Sequence, residues 1–292
     1  MLLFTALQLL TSLETIAQNT NEQIAASTVL ITYNYDGIEK SGSGFVVFKE
    51  TNKNNHTGLQ FLITNLHILR QSTGSVKMRF FRSDYSNVNT KMELTIQFKD
   101  ENGNYLPNVR MNQNKEDLVA IDITEDFIKD QIQGQSLPYQ LLATKDTLKK
   151  YNISIGDDIY MIGYPNAIFD NQNYSPVFRY GIIATIPTEG YNFNLRLQNK
   201  YNFPKFTPGF LIDAGVFEGS SGSLVVLKPQ IGKVYNGFIN MGTPPPYILG
   251  IVYKSIPIDD DSPQNIQRLG LGVVYSAQTI KDTIDFGIRL AE

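Results

Sequence analysis

Short apolar runs and alternating polar and apolar residues fill most of the chain and predict β-strands. Residues 76–80 and 92–98 alternate in the way that is typical of strands with one exposed face. Other runs are bounded by glycine, proline or asparagine, which are turn-forming residues. The predicted strands lie at 28–33, 42–48, 59–64, 76–80, 92–98, 117–123, 158–165, 179–186, 191–197, 247–253 and 271–275. About a dozen short strands of this kind predict an all-β fold, either a sandwich or a barrel.

A pause in the strand pattern near residues 137–155 divides the chain into two parts, and residues 145–152 within it have weak helical or turn character. We therefore predict two β-barrels, the first over residues 26–140 and the second over residues 141–292. A helix is predicted at the C-terminal end of the second part, because Ser276 is a good N-cap and apolar residues follow it. The apolar face of this helix is predicted to contain Ile280, Ile284, Phe286 and Ile288.

Residues 1–25 precede the predicted barrels and allow two interpretations. The first ten residues are apolar, as in the core of a signal peptide, but no lysine or arginine before Lys40 supplies a positive start. Leucines recur at positions 3, 7, 10 and 13, which favours an amphipathic helix and a cytoplasmic protein. If residues 1–17 are instead a signal peptide, the protein is secreted or periplasmic. The apolar run is too short for a stable membrane span.

The composition narrows the possible functions. The chain has 292 residues, of which 42% are hydrophobic and 18% charged, so a packed core is expected. A net charge of −3 disfavours a generic nucleic-acid binder, which usually carries a basic face. With no cysteine, a disulfide framework and a thiolate metal site are excluded, and two histidines are too few for a His-rich metal site. We expect neither a metal nor another cofactor.

Candidate chemistry centres on a stretch of small residues at 217–226. Glycines lie on both sides of Ser221, and apolar runs flank the stretch. A tight turn of this kind can direct several backbone N–H groups at one point, as an oxyanion hole requires, and place a serine hydroxyl beside them. An ordinary Ser/Gly-rich hairpin turn has the same composition. The ten residues alone do not distinguish these two interpretations.

A serine hydroxyl becomes a good nucleophile when a base takes its proton, and histidine is the usual base. Both histidines precede Ser221, which excludes the Ser–Asp–His order of α/β-hydrolases. His56 lies in a polar loop, where a solvated side chain is expected. His67 follows the apolar run 61–64, so partial burial is expected, and its second ring nitrogen needs a partner. A purely structural role for His67 is the alternative.

Two aspartates are candidates for orienting an imidazole at position 67. Asp117 begins an apolar strand, where a carboxylate can orient a histidine and stabilise its cation. Asp122 lies five residues further along the same strand and on its opposite face. We favour Asp117 and retain Asp122 as its competitor.

Several motifs together resemble trypsin-like serine peptidases, and bacterial HtrA/Deg-type members look most similar. Asp213-Ala214 also resembles the Asp-Ala pair that precedes the nucleophile in those proteins. The resemblance covers residues 26–285, and it rests on the order of motifs that are individually weak. The motifs are Gly42-Ser43-Gly44-Phe45, Ile63-Thr64-Asn65-Leu66-His67, Asp117-Leu118-Val119-Ala120, Gly163-Tyr164-Pro165, Gly181-Ile182-Ile183, Gly219-Ser220-Ser221-Gly222-Ser223 and Gly272-Val273-Val274-Tyr275.

The resemblance implies two six-stranded antiparallel β-barrels with the active site between them. It implies a serine endopeptidase in which His67 is the general base, Asp117 orients it and Ser221 is the nucleophile. The backbone N–H groups of Gly219 and Ser221 would form the oxyanion hole. The strand Gly250-Ile251-Val252 would pair with an extended protein or peptide substrate.

The sequence also departs from the family pattern. Ser220 precedes the nucleophile where digestive members carry aspartate, and Ser223 replaces a common glycine. No Ile-Val-Gly-Gly-like start is present, so activation by a newly cleaved N-terminus is not expected. The alternative function is therefore a partner-activated protease or a non-catalytic peptide-binding module on the same fold.

Overall fold

The computed structural model describes residues 20–52, 57–81, 92–130, 132, 135–170, 172–217, 219–230, 233–235, 238–240, 244–257 and 268–289. The predictions for residues 1–19 and for His56 lie outside these ranges. Within them, no helix combines the length and the apolarity needed to cross a bilayer.

The first structural unit is a curled sheet built mainly from residues 28–138. Its strands follow the order β19-β6-β7-β3-β2-β1-β4-β5, and β8 pairs in parallel with β2. The last described strand of the chain therefore joins the edge of a sheet formed mostly by the first half. The strands are β1 Thr28–Tyr35, β2 Ile38–Asn52, β3 Thr57–Thr64, β4 Ser75–Phe80, β5 Glu93–Gln97, β6 Val109–Met111, β7 Val119–Asp122, β8 Leu137–Pro138 and β19 Ile288–Arg289.

The second unit is a closed antiparallel barrel of six strands in the order β10-β13-β18-β17-β14-β9. Two short hairpins lie outside the barrel: β11 pairs with β12, and β15 pairs with β16. The strands are β9 Asp158–Gly163, β10 Val177–Ile183, β11 Tyr191–Asn192, β12 Phe206–Thr207, β13 Gly209–Val216, β14 Leu224–Leu227, β15 Lys233–Tyr235, β16 Phe238–Asn240, β17 Ile248–Pro257 and β18 Arg268–Ser276.

Short helices connect or flank the strands. The described chain starts in a helix, α1, that ends at residue 27. The Ser276 side chain caps the C-terminal helix by accepting a hydrogen bond from the N–H of Thr279. The other helices are α2 Leu66–Arg70, α3 Thr124–Lys129, α4 Lys145–Lys150, α5 Leu195–Tyr201 and α6 Ala277–Phe286, with 3₁₀ turns at Tyr139–Leu141 and Pro165–Ala167.

Strand β3 shows why some predicted strands are continuously apolar. Successive side chains of a strand point to opposite faces of its sheet. Leu62 packs in the core of the first unit, whereas Phe61 and Ile63 on the other face belong to the cluster that fills the second barrel. Both faces of this strand are therefore buried. At the edge of the sheet, β4 and β5 alternate between buried and more exposed residues, as the sequence pattern predicted.

The predicted all-β double-barrel fold is confirmed, with differences in detail. The first unit has nine strands, and among the described residues their hydrogen-bonded path does not close into a six-stranded barrel. The strand predicted at 191–197 was wrong beyond Asn192, because the Asn194 side chain accepts a hydrogen bond from Leu197 N and caps helix α5. Strand β13 was missed. The final helix ends at Phe286, which is 64% exposed, so its apolar face is shorter than predicted.

Candidate active site

Strand pairing brings two of the predicted site residues together. His67 lies on α2, directly after β3, and Asp117 lies in the turn before β7. The two strands are antiparallel, with Thr64 opposite Val119. The end of β3 therefore meets the start of β7, and the residues just beyond them become neighbours.

Both oxygens of the Asp117 carboxylate contact His67. Oδ2 lies 2.5 Å from Nδ1 of the imidazole, and Oδ1 accepts the backbone N–H of His67 at 2.7 Å. Asn65 supports the same turn, since its Nδ2 donates to the Asp117 carbonyl at 2.9 Å. A carboxylate facing Nδ1 selects the tautomer with the proton on Nδ1, and this leaves Nε2 as the basic nitrogen.

Asp122 lies elsewhere on the sheet. It pairs with Phe61 at the opposite end of the β3–β7 ladder. Its Oδ1 accepts hydrogen bonds from the backbone N–H and the hydroxyl of Thr124, at 3.1 and 2.6 Å. The side chain therefore supports the start of α3, and the geometry favours Asp117 as the partner of His67.

The stretch around Ser221 forms two consecutive tight turns. The N–H of Ser220 donates to the Phe217 carbonyl at 3.2 Å, and the N–H of Ser223 donates to the Ser220 carbonyl at 3.1 Å. Gly219 has φ +81° and Gly222 has φ +83°, values that favour glycine.

The backbone donors of these turns divide into two groups. The N–H groups of Ser220, Gly222 and Ser223 each donate to a carbonyl. For the N–H groups of Gly219 and Ser221, the described part of the chain contains no acceptor. These are the two donors that the sequence predicted for an oxyanion hole, and they are available to a ligand.

The first unit supports the serine turn directly. The N–H of Ser43 on β2 donates to the Ser221 carbonyl at 3.0 Å. A Cβ on Gly222 would lie 1.8 Å from the Ser43 carbonyl oxygen, so a larger residue would not fit without moving the backbone. The hydroxyl of Ser43 accepts the N–H of Tyr164 on the second unit at 2.8 Å. One small residue thus joins the two units behind the site.

His67, Asp117 and Ser221 border one cavity of about 620 Å³. The hydroxyl of Ser221 donates to the Tyr253 carbonyl at 3.4 Å, a long hydrogen bond, and within the described residues it is not bonded to His67. The structure thus brings the three predicted residues to one cavity while the serine hydroxyl points at the backbone of β17.

The predicted substrate strand requires a correction. Gly250 is paired with Val225 on one side and with Ser276 on the other, and Ile251 is likewise paired on both sides. The backbone N–H and carbonyl of Val252 bond to Ser223 and Gly222. These residues lie inside the closed barrel and have no free edge for a peptide.

The part of β17 that borders the cavity is residues 252–255. Of these, Val252 has both backbone groups paired, and residues 253–255 lie beyond it. Past Val252, no strand in the described ranges pairs with the edge of β17 that faces Ser221. A substrate strand on β17 therefore stays a prediction, and residues 250–252 do not offer the unpaired edge that it requires.

Aromatic and charged residues missed by sequence reasoning complete the cavity. Tyr253 and Tyr275 stack with ring centroids 4.1 Å apart and line it, as does Glu116. Burial raises the pKa of Tyr253 to about 12 and raises the pKa of Tyr275 further, so both phenols stay neutral. Burial also raises the pKa of Glu116, and its hydrogen bond with the Tyr275 hydroxyl opposes that shift. Buried tyrosines need partners for their hydroxyls, and this was the available sequence signal.

The wall opposite β17 comes from the segment after α5. Lys254 Nζ donates to the carbonyls of Tyr201 and Asn202, at 3.0 and 3.2 Å. It also lies 4.1 Å from the ring centroid of Phe203, which lines the cavity together with Pro204. Lys254 therefore connects this wall to the strand. Among the described residues, no group of three or more histidine, aspartate or glutamate side chains is placed to hold a metal ion.

Comparisons with known proteins agree with this architecture. A family model described as "Trypsin-like peptidase domain" matches residues 42–234. A search of curated proteins finds no match. Similar solved structures include "HtrA-type protease AlgW with tripeptide", at 15% identity and a TM-score of 0.51, covering 92% of this chain and 64% of that one. "Crystal structure of Deg5" has 14% identity and a TM-score of 0.50, covering 94% and 96%.

These likenesses to solved structures concern the fold, because both identities are low. The chain spans 64% of the length of the HtrA-type protease.

Proposed function

Because the chain belongs to the trypsin-like peptidase family, we propose that it is a serine endopeptidase that uses His67, Asp117 and Ser221. The observation that carries the proposal is the two-point contact of the Asp117 carboxylate with His67, in the cavity that Ser221 also lines. A carboxylate held in this way fixes the tautomer of the imidazole and stabilises the imidazolium that forms during catalysis.

The first chemical step forms an acyl-enzyme. The Ser221 hydroxyl rotates from the Tyr253 carbonyl towards Nε2 of His67, which takes its proton as Oγ attacks the carbonyl carbon of the substrate. The negative oxygen of the tetrahedral intermediate accepts hydrogen bonds from the N–H groups of Gly219 and Ser221. When the carbon–nitrogen bond breaks, the leaving amine takes the proton from Nε2.

The second step reverses these roles with water as the nucleophile. Nε2 takes a proton from water, whose oxygen attacks the acyl carbon, and the same two N–H groups stabilise the new oxyanion. Collapse of this intermediate breaks the ester bond, and Oγ of Ser221 recovers a proton from Nε2. The products are a free carboxylic acid and the starting enzyme.

The substrate that this site accommodates is an extended peptide. Residues 253–255 of β17 border the cavity next to Ser221 and, within the described chain, have no strand on that side. A peptide can add to such an edge through main-chain hydrogen bonds, which bind many sequences. We therefore propose residues 253–255 as the substrate strand, in place of Gly250 and Ile251.

The test is covalent labelling with a fluorophosphonate probe and hydrolysis of an unstructured protein. Ser221→Ala is expected to abolish both. Ser223→Ala is the matched control, because this serine lies in the same turn and its buried hydroxyl has no hydrogen-bond partner in the described structure. Labelling of Ser221→Ala at the rate of the unsubstituted protein would refute the assignment.

A partner-activated protease is the second candidate, and one observation favours it. The Ser221 hydroxyl is bonded to Tyr253 and not to His67 within the described residues. Purified protein that labels only after addition of an activating protein would support this candidate. Labelling of purified protein alone would support a constitutively competent site.

A further inference from the structure

One hydroxyl connects the triad acid to the second barrel. The carboxylate of Asp117 faces His67 in the first unit, whereas its backbone N–H donates to the hydroxyl of Tyr275 on β18 at 3.1 Å. The same aspartate is therefore held by both units, through its side chain on one and through its main chain on the other.

The turn that carries Asp117 also has other hydrogen bonds. It connects β6 to β7 and contains Lys115 with φ +60°, a conformation that is uncommon outside glycine. Within the turn, the N–H of Lys115 donates to the Asn112 carbonyl and the N–H of Leu118 donates to the Glu116 carbonyl, at 3.0 and 2.8 Å. These short-range bonds shape the turn, and the side chains of Asn112 and Gln113 also donate to Thr283 and Phe286 of α6. Among the described bonds, the one to Tyr275 attaches Asp117 itself to the barrel that carries Ser221.

Tyr275 is itself held firmly. It is 3% exposed and stacks on Tyr253, with an angle of 15° between the rings. The hydroxyl of Tyr253 shares a hydrogen bond of 2.9 Å with the hydroxyl of Thr207. A neutral phenol packed in this way is a fixed acceptor, so it positions Asp117 relative to the barrel that carries the nucleophile.

We propose that Tyr275 is a positioning residue for catalysis. Its hydroxyl holds Asp117, and Asp117 in turn holds the imidazole of His67 in the correct position relative to Ser221 on the other unit. The proposal rests on the proposed function. Small displacements of a reacting group reduce rates strongly, so loss of this one bond should affect turnover more than binding.

The experiment replaces Tyr275 by phenylalanine, which keeps the ring and its stack on Tyr253 but removes the hydroxyl. We expect kcat to fall about fivefold, the effect of losing one hydrogen bond of ordinary strength, with KM changed less than about twofold. Tyr33→Phe is the matched control. It makes the same chemical change at a buried tyrosine of β1 whose hydroxyl donates to Gln71 Oε1 at 2.9 Å, away from Asp117, so kcat should stay at its original value.

A second measurement does not depend on activity. The chain has two histidines, so proton NMR of protein with ¹⁵N-labelled histidine can follow the Nδ1–H resonance of His67 directly, with His56→Gln for assignment. In Tyr275→Phe this resonance should shift upfield and broaden, because the hydrogen bond to Asp117 loosens. Tyr33→Phe should leave it in place.

The outcomes separate this proposal from the proposed function. Unchanged kcat and an unchanged Nδ1–H resonance in Tyr275→Phe would overturn the positioning role. Equal losses of kcat in Tyr275→Phe and Tyr33→Phe would also overturn it, since loss of any buried phenol hydroxyl would then explain both. If Ser221→Ala keeps full activity, the proposed function fails, and the NMR comparison still decides whether Tyr275 holds Asp117.

Discussion

The two structural units contribute to the cavity in different ways. The first unit supplies side-chain chemistry, namely an imidazole and a carboxylate at neighbouring ends of β3 and β7. The second unit contributes to the proposed chemistry mostly through its main chain: the N–H groups of Gly219 and Ser221, which have no acceptor in the described part of the chain, and the edge of β17. In the proposed mechanism, Ser221 is the reacting side chain that the second unit adds.

This difference predicts how each unit responds to substitution. In the proposed mechanism, the first unit acts through the identity of two side chains, so even an isosteric change there should be severe. The second unit acts through backbone conformation, so its sensitive positions should be glycines and the residues that hold a segment in place. The cavity lies where Ser43 joins the two units.

The largest effect is expected from Asp117→Asn. The amide keeps the shape but cannot favour the tautomer with the proton on Nδ1, so kcat should fall by about 10⁴-fold. Asp122→Asn is the matched control, because it makes the same chemical change at a carboxylate that supports α3. Steady-state kinetics on both variants shows which of the two aspartates supports catalysis. Equal activity in the two would show that the first unit does not act through Asp117.

The next effect tests the backbone contribution of the second unit. Gly219→Ala adds a Cβ that would lie 2.6 Å from the backbone nitrogen of Asn166, at a φ of +81°. The turn must shift, and loss of one oxyanion donor should lower kcat by about 10²- to 10³-fold.

Gly103→Ala provides the control for this experiment. Gly103 has φ +84°, and no atom lies within 4 Å of the Cβ that alanine would add. This position therefore shares the backbone strain but lies in a distant turn. The kcat of Gly103→Ala should be unchanged, although both variants should be less stable in urea unfolding. A normal kcat in Gly219→Ala would remove this residue from the oxyanion hole.

A smaller effect is expected where the wall of the cleft is attached to β17. Lys254→Met keeps the stem over Phe203 but removes the bonds to the carbonyls of Tyr201 and Asn202. The wall should loosen and raise KM for peptides long enough to reach it by about threefold, with kcat unchanged. Lys200→Met, at a lysine of α5, controls for loss of a positive charge. An equal rise in KM for short and long peptides would contradict this role.

The smallest effect concerns stability rather than rate. Burial raises the pKa of Glu116 above its unfolded value, so the ionised form destabilises the folded state. This penalty is absent below the unfolded pKa, about 4.3, and develops as the pH rises through the folded value. Glu116→Gln should therefore raise the free energy of unfolding at neutral pH and change it little in acid.

Urea unfolding at both pH values provides the measurement. The exposed Glu101→Gln variant controls for removal of a carboxylate. A stabilisation of Glu116→Gln that is equal at both pH values would show that ionisation is not its cause.

Many strands were predictable because the pattern that forms each of them lies within a short stretch of sequence. Buried strands such as β1 and β3 have apolar runs, whereas β4 and the edge strand β5 have alternating polar and apolar residues. Prediction failed at residues 191–197, where aromatic residues suggested a strand but capping by Asn194 begins α5. The joining of β19 to the first sheet was also unpredictable, since it pairs residue 288 with residue 111.

The sequence by itself determined which chemistry is available. It orders both histidines before Ser221, places glycines where the serine turn needs positive φ, and offers two candidate aspartates in one predicted strand. These features are local, because backbone freedom and side-chain type belong to single residues.

Only the tertiary structure decided how these parts meet. Antiparallel pairing of β3 with β7 places Asp117, and not Asp122, beside His67. Closure of the second barrel covers Gly250 and Ile251 and leaves the next residues of β17 facing the cavity. Packing of the barrels brings Tyr275 to Asp117, 158 residues away in the chain. Such contacts depend on strand register over long separations, which periodicity and composition do not encode locally.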